Sequence, residues 1–186
     1  MTAKEKATTQ AWTTQQMVYV AMLACLAMIL SYIERMIPLS FTVPGIKLGL
    51  ANLVILSGIY LLTFRQALTL VVLKCVMTAW IFGSFSAFLY SSAGSVLSFL
   101  VMAALIEIMP NQKKEQPAGR GIILVSVAGG VCHNIGQILM AALVVGSFKV
   151  LYYLPVLIIA GLLTGLLIGA GVRATLPYVI NLRGKP

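Results

Sequence analysis

Long apolar runs alternate with short polar breaks along this chain, and the runs are too long for a soluble fold. Six of them approach the roughly 20 residues that a helix needs to cross a bilayer. They cover 17–37, 48–64, 66–82, 91–109, 121–145 and 150–172. The second and third are short and joined through Arg65, so they predict a tight helical hairpin. The fourth ends before Pro110, and the polar stretch after it predicts a loop. Residues 1–16 form a polar lead, 17–172 a single membrane domain, and 173–186 a short tail. The lead is not a cleavable signal, because residues 8–16 are polar and the apolar run that follows is too long.

Composition agrees with that pattern. Sixty per cent of the 186 residues are hydrophobic and nine per cent are charged, and the mean hydropathy is +1.01. A soluble domain of this size has no interior large enough for so much apolar surface. The fold class is therefore an all-α, six-helix membrane bundle, covered by lipid and multi-pass.

Charge then sets an expected orientation. With the N-terminus inside, Lys4, Lys6, Arg65, Lys113, Lys114, Arg120, Arg173, Arg183 and Lys185 fall on cytoplasmic segments. Arg35, Lys47 and Lys149 fall outside. The bias of nine to three follows the positive-inside rule and puts both termini in the cytoplasm. The net charge of +9 is thus a topology signal and no sign of nucleic-acid binding.

Within the runs, a few polar side chains stand out. Lys74 lies in the middle of the third, where a charge costs several kcal/mol unless it faces protein or a wet cavity. His133, Asn134 and Gln137 fall within about 100° of one face of the fifth, at 3.6 residues per turn. A lone membrane histidine is ordinarily an interhelical hydrogen bond. Three polar groups on one face favour a ligand. Asn52, Ser95 and Ser98 are candidates for the same cavity, although serine commonly bonds back to its own helix. Lys47 and Tyr90 are placed near the mouth, with Trp80, Phe85 and Phe88 as stacking surface. Glu107 snorkels or pairs, with Arg65 or with a partner.

Two external connections look like more than spacers. Residues 34–47 (ERMIPLSFTVPGIK) predict an ordered non-helical loop, and residues 83–92 (GSFSAFLYSS) predict a partly buried loop lining a pocket. Small residues recur at spacing four in the last run, at Gly161, Gly165 and Gly169, and in the first at Ala21 and Cys25. Such ridges let helices approach closely. Intramolecular packing is the first reading of the glycine ridge and a partner interface the second. The three cysteines, Cys25, Cys75 and Cys132, all sit in apolar runs and read as small core residues, with no disulfide framework and no metal site.

Absences narrow the chemistry. There is no G-x-x-x-x-G-K-[ST] phosphate loop, so the chain by itself is not expected to hydrolyse ATP. H-E-x-x-H, C-x-x-C and G-x-S-x-G do not occur, and one histidine cannot build a multi-histidine metal centre. No cofactor and no catalytic site is expected. All four acidic residues are glutamates; the chain has no aspartate.

Three segments carry a family resemblance: PGIKLGLANLVIL (44–56), SSAGSVLSF (91–99) and GGVCHNIGQI (129–138). They are similar to the Gx transporter family, whose members are often labelled heptaprenyl diphosphate synthase component I. With six short helices and a Pro/Gly-rich first external loop, residues 15–175 also resemble the substrate-binding S components of energy-coupling factor (ECF) vitamin transporters. The resemblance implies a protein of the bacterial cell membrane that captures a small molecule from outside. A transmembrane coupling subunit and two ATPase subunits would drive release, and the first loop (Glu34, Arg35, Pro44, Gly45) would gate the cavity. S components pack an Ala-x-x-x-Ala pattern on the coupling subunit; here the matching positions are Ala21 and Cys25. Substrate classes left open are a quinone or isoprenoid precursor, a flavin or another vitamin-like compound. The synthase label fits poorly, because prenyl elongation uses paired aspartate-rich motifs to hold magnesium. A different reading is a non-transporting membrane subunit of a flavin- or quinone-linked electron-transfer or prenyl-quinone biosynthesis complex.

Overall fold

The computed structural model describes residues 12–36, 49–82, 85–109 and 119–183. Among the described residues six α-helices follow one another: α1 (Thr14–Met36), α2 (Leu50–Leu61), α3 (Phe64–Phe82), α4 (Phe85–Ile108), α5 (Gly119–Val145) and α6 (Leu154–Arg183). A 3-10 turn at Phe148–Tyr153 leads into α6. No strand occurs among the described residues. Five of the helices are long and apolar enough to cross a membrane, and only α2 is shorter. This is an all-α, multi-pass membrane protein.

Local chemistry explains where several helices begin. At α1 the Thr13 hydroxyl accepts from the Gln16 backbone N–H at 3.3 Å, and Gln16 Oε1 accepts from the Thr13 N–H at 3.1 Å. That reciprocal pair satisfies two donors that a helix start leaves open. The same T-x-x-Q spacing recurs at Thr63–Gln66, where Gln66 Oε1 accepts from the Thr63 N–H at 3.1 Å. Helix α3 therefore starts at Phe64, and Arg65 lies in its first turn, not in the connection predicted there. Helix α2 begins after Gly49, whose φ of 71° is one a side chain rarely adopts. Glu34 Oε1 accepts from the Gly49 N–H at 2.5 Å, so the end of α1 is tied to the start of α2.

Other predicted boundaries change too. Residues 34–36, expected at the start of a non-helical loop, are the last residues of α1. The second segment yields only 12 helical residues, about 18 Å long at 1.5 Å per residue, because Leu62 turns to an extended conformation. Residues 85–92, predicted as a pocket-lining loop, are the first two turns of α4. That stretch contains no proline and no Asn or Asp to compete with the helix, and its hydroxyl residues are tolerated inside one. The last helix continues past Val172 through Pro177 to Arg183.

Helix α2 is central as well as short. Its Val54, Ile55, Leu56 and Ile59 are nearly fully buried. Around Ile55, Leu56 and Ile59 one cluster gathers Val20 and Ala24 of α1, Leu70 and Val71 of α3, Phe99 and Met102 of α4, Val125 of α5, and Ile168 and Val172 of α6, while Val54 packs with Ala27 of α1 and Ala51. Outward-facing positions are apolar as well, among them Met22, Val72, Leu100, Leu124 and Leu163, as lipid contact requires.

Candidate functional site: a buried ammonium beside a closed glycine seam

Lys74 is 6% exposed, so its long side chain turns into the bundle and away from lipid. Its Nζ donates to Ser95 Oγ on α4 at 3.5 Å. That bond is long, and an ammonium has three protons to place. No carboxylate stands nearby among the described residues. Glu34 is engaged at the start of α2. Glu107, three turns beyond Ser95 on α4, lines an apolar groove with Phe64, Ala67 and Phe99.

Ser95 is backed by a close crossing of α4 and α5. A Cβ added at Gly94 would stand 2.6 Å from the His133 carbonyl oxygen and 2.7 Å from Gln137 Cγ, and one at Gly136 would stand 2.9 Å from the Ala93 carbonyl oxygen. Along α5, Gln137 Nε2 donates to His133 Nε2 at 3.1 Å as the amide is oriented. Lys74, Ser95, His133 and Gln137 therefore share one level of the bundle, spread over three adjacent helices.

The remaining predicted residues divide differently. Asn134 turns toward α6, where its Nδ2 donates to the Leu157 carbonyl at 2.7 Å. Its amide thus braces α5 against α6. Asn52 lines a separate interior gap with Ser98, Met102, Ser126, Gly129 and Gly130, a space for about one water molecule. Tyr90 is half-buried on α4. Lys47, Pro44 and Gly45, and the side chain of Arg35, lie outside the described residues. The expected aromatic lining is corrected in part. Trp80 is 87% exposed and Phe85 also faces outward, where aromatic rings suit a membrane–water interface. Phe88 packs on the core.

Two hydroxyls that the sequence reading passed over complete the picture. Thr78 follows Lys74 by one turn of α3, and Ser92 precedes Ser95 by about one turn of α4. Both oxygens are buried without a hydrogen-bond partner. A threonine inside an apolar run carries little signal, since its default is a bond to its own helix.

The glycine ridge has an occupant within the chain. Gly161 lies against Gly130 and Val131, Gly165 against Val127, and Gly169 against Ile123 and Ser126. Helix α1 is different: Ala21 and Cys25 are exposed, beside Met22, Leu26 and Ile29.

A protein-family model described as heptaprenyl diphosphate synthase component I matches residues 23–175. No curated protein and no solved structure matches.

Proposed function

The chain belongs to the heptaprenyl diphosphate synthase component I family, and we propose that it is the substrate-binding membrane component of an ATP-driven uptake transporter. In this reading it acts like an S component of an ECF system in the bacterial cell membrane, with both termini cytoplasmic. Its substrate is a small polar or aromatic anionic compound, of the quinone-precursor, isoprenoid-precursor, flavin or vitamin-like classes. The observation that carries the reading is Lys74. A buried ammonium with one long hydrogen bond is costly in a bilayer core, and a ligand that supplies the missing acceptors offsets that cost.

Ligand binding and energy supply fall to different subunits in this scheme. The polar level formed by Lys74, Ser95, His133 and Gln137 holds the substrate, entering from the side where α1 ends and α2, α4 and α6 begin. Tyr90, half-buried on α4, is assigned to its mouth, and control of entry is assigned to the connection between α1 and α2. Coupling to a transmembrane subunit and two ATPases uses the exposed face of α1 at Ala21 and Cys25, since the Gly161–Gly165–Gly169 ridge is covered by α5. The chain on its own is no enzyme.

A second reading has one observation in its favour, the family's description as a synthase component. It makes the chain a non-transporting membrane subunit of a prenyl-quinone biosynthesis or flavin-linked electron-transfer complex. The absence of aspartate sets it second. Isolation of the tagged full chain from its own membranes separates the two. Copurification of ATPase subunits, with a small molecule in the native mass spectrum, is the expected result. A flavoprotein or prenyl transferase partner with no ATPase overturns the transporter reading.

A further inference from the structure

Helices α3 and α4 are joined through residues 83–84, so they run antiparallel and share a seam. Moving from Lys74 to Thr78 along α3 leads toward that connection. Moving back from Ser95 to Ser92 along α4 leads the same way. The Thr78 and Ser92 hydroxyls, each buried without a partner, therefore both lie on the connection side of the Lys74–Ser95 contact, one turn above it. By helix position they make a column of one ammonium and three hydroxyls, reaching from about 6 to 12 Å below the end of α3 at 1.5 Å per residue.

Every one of these four groups can donate a hydrogen bond. Among the described residues they meet too few acceptors: Nζ has Ser95 Oγ, and Thr78 and Ser92 have none. Buried donors without acceptors are rare because each costs stability. A carboxylate supplies the complement, two oxygens with about four acceptor positions and one negative charge. The charge count matters as much as the donors. One cation with no second positive group beside it, among the described residues, neutralises one charge. A diphosphate would bring further negative charges into the same low-dielectric seam with nothing to pair them.

We infer that Lys74, Thr78, Ser92 and Ser95 form a subsite for one singly charged oxyanion, the carboxylate of a small molecule. The inference rests on the substrate-binding reading above and narrows it: the recognised end of the substrate is a monocarboxylate, not a diphosphate. Thr78 and Ser92 orient the carboxylate by donating to it, while Lys74 supplies its counter-charge. The rest of the molecule points toward the α3–α4 connection.

The test uses the purified full chain in zwitterionic lipid nanodiscs, with thermal unfolding as the readout. Benzoate and hexanoate are the probes, benzamide and hexanamide their neutral counterparts, and inorganic pyrophosphate the multivalent control at matched ionic strength. Both carboxylates are expected to raise the unfolding midpoint and neither amide is. Thr78→Val and Ser92→Ala, small changes that keep the fold, each weaken carboxylate binding about tenfold, as loss of a hydrogen bond to a charged group does. Lys74→Met abolishes it. Equal shifts from acid and amide, no shift from either acid, a stronger response to pyrophosphate, or undiminished binding in Thr78→Val and Ser92→Ala overturns the subsite. Partner copurification is scored separately on the wild-type chain. Carboxylate discrimination without ATPase partners removes the transporter reading and leaves the subsite standing.

Discussion

Two seams of this bundle solve the helix-packing problem in opposite ways. Where α5 meets α6, glycine brings backbone against backbone: a Cβ at Gly130 would fall 2.6 Å from the Gly161 carbonyl oxygen. Lipid tails give helices no hydrophobic reason to associate, so this close contact is the main source of attraction. Asn134 adds a hydrogen bond to Leu157 at 2.7 Å, and the seam is closed and satisfied. Where α3 meets α4, the contact holds a lysine, a serine and two hydroxyls without partners. One seam maximises stability, and the other keeps polar groups that packing alone would have removed. Strain and unsatisfied donors persist where they serve binding.

The sharpest way to break the comparison is to enlarge a residue in the closed seam. Gly130→Val has no room to be accommodated by side-chain motion, because backbone faces it. Helices α5 and α6 must separate, at an expected cost of about 3 kcal/mol or more. Reversible unfolding in detergent should show the loss directly. A Gly130→Val protein as stable as wild type would mean that the seam is loose and the contrast unfounded.

The open seam should respond with the opposite sign. Lys74→Met replaces a buried charge by an apolar chain of similar length, which is neutral or stabilising, here by about 1–2 kcal/mol. It also removes the counter-charge for the ligand, so binding falls while unfolding shifts upward. Destabilisation by Lys74→Met, with binding intact, would show that the ammonium holds the fold and not a substrate.

How far these seams were legible in the sequence depends on what each uses. The Gly161–Gly165–Gly169 ridge is visible as a spacing, and its occupant lies in a neighbouring helix that itself reads as glycine-rich. Lys74 is visible because charge is rare in an apolar run. Thr78 is not, since one hydroxyl among apolar residues has the same pattern whether it bonds its own helix or faces a cavity. Asn134 and Gln137 share a helical face on paper, yet the face is wide enough to look toward α6 at one edge and α4 at the other. Residues 85–92 carry the hydroxyl and aromatic side chains of a loop, yet an apolar environment drives their backbone groups to bond within a helix. Helix α2 looked like a span since hydropathy counts apolar residues and cannot register the extended turn at Leu62.

A smaller effect sharpens the division of the polar face. Asn134→Leu removes the bond to the Leu157 carbonyl and should cost about 1–2 kcal/mol of stability, with carboxylate binding unchanged. Loss of binding without loss of stability would return Asn134 to the substrate level and dissolve the boundary between the seams.

The smallest effect belongs to His133, which stands at that boundary. Its Nε2 accepts from Gln137 at 3.1 Å, and its carbonyl oxygen and ring lie against Gly94, the neighbour of Ser95. Such a side chain acts on the site by holding Gln137 and the α4 backbone in place, through hydrogen bonding and shape, with no need of charge. His133→Gln keeps an acceptor for the Gln137 amide, so ligand affinity should fall only a few-fold. His133→Leu leaves that amide without its partner, and an unsatisfied donor costs about 1–3 kcal/mol, so the loss should be about tenfold. Titrating one carboxylate probe against both variants reads the difference. Equal losses would mean that the imidazole itself, and not its hydrogen bond, is what the open seam requires.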